Sequence, residues 1–213
     1  MWDQSLSDDL DVAFNETDVR GFSFDADLDE ARLLLDVLAL PEDGPVDPDK
    51  RRAIVMSGVG RIEIRLRRDE SEPGPLIPVP SLDALTRFFD SLTIADSMYG
   101  WEFLDVQELN EWWSGECSLT VLGGTTSASH TLRWFTECGD GTARYALGGT
   151  VAFTDMSVER ADGSPIALQE FAADGVRWWR AFNARDQRLS SEAQRATEER
   201  TQRWWSGRTT KLY

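Results

Sequence analysis

Acid–base or nucleophilic chemistry based on histidine has one candidate here, because His130 is the only histidine in the chain. It follows Thr125-Thr126-Ser127-Ala128-Ser129 at the start of an expected strand, and no Gly-x-Ser-x-Gly elbow is present to supply a nucleophile. It reads as a strand-edge residue. Gly58-Val59-Gly60 lacks the third glycine and the following helix of a dinucleotide fingerprint, and no Gly-x-x-x-x-Gly-Lys-Ser/Thr occurs, so phosphate cradling by such a loop finds no support. Asp25, Asp27 and Asp29 have the spacing that opens a calcium loop, yet Glu30 stands where the bend needs glycine and Asp36 where a bidentate glutamate belongs. An acidic hairpin turn fits better, with Asp27 and Asp29 kept as binding candidates. Among 38 acidic residues, no catalytic pair can be picked by spacing. The expectation is a protein without catalytic residues, metal or cofactor.

The nine tryptophans are more unusual. They include three adjacent pairs, Trp112-Trp113, Trp178-Trp179 and Trp204-Trp205. On a helix, neighbouring rings stand about 100° apart, so one ring of a pair can face the core while the other meets solvent. An exposed ring can serve as an interface hot spot or a sugar-stacking platform. Trp112, Trp178 and Trp205 are the candidates for that role, whereas Trp179 lies on an apolar stripe and reads as core.

Composition narrows the partners. With 41% hydrophobic and 28% charged residues, the chain reads as globular, and 213 residues suffice to bury a core. Its formal charge is −16. Residues 1–50 hold 15 acids and 3 bases, net −12, and residues 166–213 hold 6 acids and 9 bases, net +3. Nucleic-acid binding needs a basic footprint, so nucleic acid is not expected as a partner, whereas a basic protein would be attracted. The first 20 residues are acidic and carry no apolar run, and nothing later is long enough to span a membrane, so a cytoplasmic location is expected. Cys117 and Cys138 are too few for a disulfide framework or a zinc site and read as thiols.

The elements that position these groups follow from periodicity. Residues 1–17 read as a polar lead-in. Residues 19–25 and 33–40 form a hairpin, the second strand being apolar enough to be covered on both faces. Ile62, Ile64 and Leu66 alternate with Arg61, Glu63, Arg65 and Arg67, which makes a strand with one buried face. Glycines 58 and 60 mark a change of phase between two strands. A helix capped by Ser81 is expected over residues 81–92 and another over 165–188. Residues 93–116 read as a bridge between layers, with a short helix after Asp105 holding Trp112 and Trp113. Strands then recur over residues 118–158.

This is an α+β chain, predominantly antiparallel β, in a single domain spanning residues 1–213. It reads as two pseudo-repeated units of about four strands plus a helix, over residues 18–92 and 117–189, with a C-terminal helical tail over 190–213. In that repeat, Gly58 should correspond to Gly148 or Gly149. Trp204, Trp205, Leu212 and Tyr213 should dock the tail, on the body or on a second copy of the chain as a homodimer.

The succession of strand, return strand, acidic loop and Arg51-Arg52-Ala53-Ile54-Val55-Met56-Ser57-Gly58-Val59-Gly60-Arg61-Ile62-Glu63-Ile64 resembles that of small β-rich immunity proteins from bacterial polymorphic toxin systems. The resemblance covers residues 18–68 and rests on apolar pattern. It implies a non-enzymatic, acidic, cytoplasmic protein that binds a toxin. The other reading is a carboxylate-using enzyme or small-ligand protein with its site between the two units. A deep pocket of converging carboxylates would favour the enzyme, and a broad exposed acidic or aromatic patch would favour the binding protein.

Overall fold

The period-two stretches are strands, and their phase changes are the places where the chain passes from one sheet to another. The computed structural model describes residues 4–68, 74–105 and 116–190. Its elements in order are α1 (Gln4–Phe14), β1 (Asp18–Asp25), β2 (Glu30–Asp36), β3 (Arg51–Ser57), β4 (Arg61–Arg68), α2 (Leu82–Ser91), β5 (Ile94–Asp105), β6 (Leu119–Leu122), β7 (His130–Gly139), β8 (Arg144–Phe153), β9 (Asp155–Arg160), β10 (Pro165–Ile166) and α3 (Leu168–Ala184). The strands form two antiparallel sheets of five, ordered β10-β9-β3-β2-β1 and β5-β7-β8-β4-β6. A single residue pair, Asp18 with Ser97, joins them through β1 and β5. The chain is α+β and mainly antiparallel, as its alternation requires.

Strand order is alike in the two halves, although β6, at the far edge of the second sheet, comes between β5 and β7 in the chain. β1, β2 and β3 meander through the first sheet and β4 then enters the second; β5, β7 and β8 meander through the second and β9 enters the first. The correspondence is one of strand order. At the first crossing Gly58 takes φ 63°, a conformation that favours glycine. At the second the residue between the strands is Thr154, whose hydroxyl donates to the Gly58 carbonyl. The expected match of Gly58 with Gly148 or Gly149 is therefore corrected: both lie within β8. Their role is close packing, since a Cβ on Gly149 would lie inside the Trp134 ring.

Side chains on the inner faces of both sheets share one core with the helices, Ile54 and Met56 from the first sheet, Ile64 and Trp134 from the second. The polar lead-in is corrected to a helix. Leu6, Leu10, Ala13 and Phe14 share one face of α1, which packs into the core while the aspartates lie elsewhere around the turn. Phe14 meets Phe171 of α3 edge-on at 5.5 Å and Phe103 of β5 at 5.6 Å. Ser81 caps α2 as expected, accepting the Ala84 N–H at 3.2 Å. Residues 94–105 form a strand where only a bridge is legible; Trp112 and Trp113 lie outside the described residues, as do residues 191–213 of the expected tail.

Candidate functional site

Among the described residues, helix α3 carries an apolar stripe longer than the surface that covers it. Its first turns bury Phe171, Ala172 and Gly175, and Gly175 lies so close to Ala13 of α1 that no Cβ would fit between the helices. Beyond that contact the stripe continues through Trp178, Trp179 and Phe182. Both indoles are half-buried, and Phe182 is 55% exposed. The rings hold one another: Trp178 stacks on Phe182 at 5.3 Å with planes 8° apart, and Trp179 sits edge-on to Trp178 at 5.0 Å and to Phe182 at 5.8 Å. The helix ends there, with Arg185 in the left-handed conformation at φ 54°.

These rings form one side of an open notch of about 490 Å³. The segment after β2 supplies Val37 and Leu38, and the start of the β1–β2 hairpin supplies Asp18, Arg20 and Asp36. Glu16 and Lys50 complete the rim. Arg20 donates from Nε to Asp36 at 2.8 Å and from Nη2 to Asp18 at 2.9 Å, so one guanidinium orders two carboxylates. The Val37 N–H donates to the Lys50 carbonyl at 2.9 Å. The Leu40 N–H donates to the Asp174 carbonyl at 3.0 Å, and Arg177 answers by donating to the Leu40 carbonyl at 3.1 Å and to the Asp174 carboxylate. The loop is thus tied to the helix. Burial pushes the Asp174 carboxyl above the usual aspartate range, and the hydrogen bond from Arg177 offsets only part of that rise. Exposed aromatic faces beside ordered carboxylates suit a partner surface presenting apolar and cationic groups, because ring faces attract cations and carboxylates pair with them.

The structure does not gather the expected site residues in one place. Trp178 is in the notch; Trp112 and Trp205 lie outside the described residues. Asp27 and Asp29 are at the turn of the β1–β2 hairpin, whose other end borders the notch, roughly 20 Å away at the rise of a strand. Asp27 is exposed, and its N–H donates to Asp25 Oδ1 at 2.9 Å. Asp29 holds structure together: Oδ1 accepts the Gly124 N–H at 2.9 Å, Oδ2 accepts the Thr125 hydroxyl at 2.7 Å, and its carbonyl accepts the Val59 N–H at 3.1 Å. Among the described residues, no three of the histidine, cysteine and acidic side chains come together as a metal site. Neither cysteine is in a disulfide; Cys138 is buried and Cys117 half-buried. His130 opens β7 beside the Phe153 ring at 5.9 Å.

Sequence reasoning missed Phe182, which shares the helical spacing of the core residues, and it missed the contributions of Val37, Leu38 and Lys50. The usable signal was in α1. Reading Leu10, Ala13 and Phe14 as a helical face gives α3 a partner for its first turns and not for its end.

Among the described residues no helix is long and apolar enough to cross a membrane. No protein-family model matches this chain, and neither does a curated protein or a solved structure at the level that marks a relationship.

Proposed function

We propose that the chain is a non-enzymatic acidic binding protein of the bacterial cytoplasm that engages a basic protein through the notch at the end of α3, in the manner of a toxin-neutralising immunity protein. The observation that carries this reading is the Trp178–Phe182 stack, left open to solvent beside Asp18 and Asp36. Large apolar rings on a rigid helix, rimmed by charge, have the make-up of an interface hot spot. The net charge of −16 would draw a basic partner and speed encounter at low salt.

Co-expression with the polypeptide encoded by the adjacent gene tests it. Co-purification is expected, together with relief of that polypeptide's toxicity. Trp178→Ala combined with Phe182→Ala should weaken the complex by about thirtyfold, the effect of losing a hot spot worth about 2 kcal/mol. Binding unchanged in that double variant removes the notch from the interface, and an adjacent product that neither binds nor harms the cell removes the immunity role.

A further inference from the structure

Two of the three tryptophan pairs can be related to one place. Trp178 and Trp179 line the α3 notch, and Trp204-Trp205 stands in the sequence that follows Ser190, outside the described residues. That sequence is unlike the rest of the chain. Residues 200–213 hold four bases and no acid in a protein whose net charge is −16. Arg200, Arg203, Arg208 and Lys211 are interleaved there with Trp204, Trp205, Leu212 and Tyr213, so cations and apolar rings come together.

The notch suits the same two chemistries. Among the described residues, its apolar side is the Trp178–Phe182 stack, with Phe182 55% exposed, and its rim is Glu16, Asp18, Arg20, Asp36 and Lys50. Arg20 donates to both aspartates, yet the Asp18 and Asp36 side chains stay 31% and 26% exposed, so each has oxygen surface that can accept from a second donor. Arg20 and Lys50 on the same rim disfavour an occupant that is only cationic. Rings must therefore carry the contact, with the charges placing them.

Attachment puts the segment within reach. The Arg185 N–H donates to the Phe182 carbonyl at 3.1 Å and the Asp186 N–H to the Ala181 carbonyl at 2.9 Å, so the chain folds back against the turn of α3 that carries Phe182. One 3-10 turn, Gln187–Leu189, follows and advances only about 6 Å. Ser190 thus leaves the body on the order of 10 Å from that turn. The 14 residues from Ser190 to Trp204 span about 20 Å as a helix and up to about 45 Å extended, so the indoles reach the notch in either conformation. A tether this short holds its segment at an effective concentration on the order of 1 mM.

We propose that residues 200–213 occupy the α3 notch of their own chain, with Trp204 and Trp205 against Trp178 and Phe182 and the neighbouring arginines beside Asp18 and Asp36, and that a partner binds by displacing them. Displacement rests on the partner reading above, whereas occupation does not.

A fluorescein-labelled peptide of residues 200–213, titrated at low salt with the full chain and with the full chain carrying Trp204→Ala and Trp205→Ala, tests occupation. Saturable binding to the variant is expected. The parent should bind at least about tenfold more weakly, the factor that an effective concentration of about 1 mM gives against a peptide Kd of about 100 μM. Adding Trp178→Ala and Phe182→Ala to the variant should abolish binding. If circular dichroism shows that this chain does not fold, Phe182→Lys, a change at an exposed ring, replaces the two substitutions with the same result expected. Light scattering should find the parent monomeric. Occupation is overturned if the peptide does not bind, if parent and variant bind it equally, or if binding survives the changes in the notch. A parent dimer that the Trp204→Ala and Trp205→Ala substitutions dissolve assigns the segment to a second copy and overturns it as well. Displacement is measured with the polypeptide of the adjacent gene, which should bind the tail variant about tenfold more tightly than the parent. Equal affinity overturns displacement alone. A product that binds neither chain ends the partner reading, and displacement with it, while the peptide result still decides occupation.

Discussion

The outer faces of the two sheets are built from the same residue types and differ in how deeply the carboxylates that meet their arginines are buried. On the first sheet the carboxylates stay partly exposed beside their arginines: Arg20 meets Asp18 and Asp36, Arg32 meets Glu30 and Glu159, and Arg51 meets Asp49. On the second, Arg61 and Arg65 both meet Glu63, which is only 1% exposed. The central strands differ as well. β3 presents Ala53 and Val55, both buried, whereas β8 presents Gly148 and leaves a hollow. A carboxylate left partly in water gains little from its arginine, whereas one buried beside two arginines depends on both of them.

The sharpest way to break this contrast is to remove one carboxylate from each face. Glu63→Gln takes away a buried charge that serves two arginines and should cost about 2–3 kcal/mol, below the usual 3–5 for a broken buried pair because both arginines keep contact with water. Glu159→Gln leaves Arg32 its second partner, Glu30, and its pair is partly exposed, so the loss should stay below about 1 kcal/mol. Urea denaturation of both variants measures the difference. Equal losses would mean that Glu63 is one more surface partner and that the two faces do not differ in kind.

A second pair of substitutions separates the two glycines of β8. Gly149→Ala places a methyl in the ring of Trp134, which is 1% exposed, and overpacking of this kind costs about 1–3 kcal/mol. Gly148→Ala adds a methyl that meets only ordinary contacts and should change stability by less than about 0.5 kcal/mol. Thermal melts decide it. If both substitutions are neutral, Trp134 repacks freely and the closeness of β7 and β8 is not what holds the ring.

Strands were the most legible part of this molecule, for a physical reason. Ile62, Ile64 and Leu66 bury one face of β4, and alternation records a buried face directly in the order of residues. The two-sheet arrangement was not legible, because Gly58 and Thr154 mark where the chain turns and not which sheet it joins. Helix α1 hid behind its aspartates, since four core-facing positions spread over eleven residues are diluted when composition is read before period. Neither the burial of Glu63 nor the notch could be read along the chain. The outer face of the second sheet joins β4, β7 and β8 from distant segments, and Glu63, between Arg61 and Arg65, looks on paper like part of the solvated side of an ordinary strand although it is buried. The notch required knowing where α1 stops covering α3.

The smallest expected effect concerns pH and the first sheet, where the pairing of charge depends on carboxylates staying ionised. Burial pushes the Asp49 carboxyl up, but the hydrogen bonds from Arg51 and the charges of Arg51 and Arg52 outweigh it and hold the group below the usual aspartate range. The folded-state value being depressed, the stability this gives is fully present above the ordinary value of about 3.9 and is lost as pH falls through the folded-state value beneath it. Asp174, whose carboxyl is raised, works with the opposite sign: its contribution favours folding below its ordinary value and is lost as pH rises through the folded-state value. Their opposition makes the parent's pH profile uninformative by itself, and the test is the difference between two profiles. Asp49→Asn should lower stability at pH 7 by up to about 1 kcal/mol, the range for a partly exposed pair. The gap from the parent should then narrow as acid protonates Asp49 in the parent and Arg51 loses its anionic partner there too. A constant gap from pH 7 down to acid would show that the substitution costs packing or turn geometry and not charge, and that the first sheet's face owes little to its paired ions.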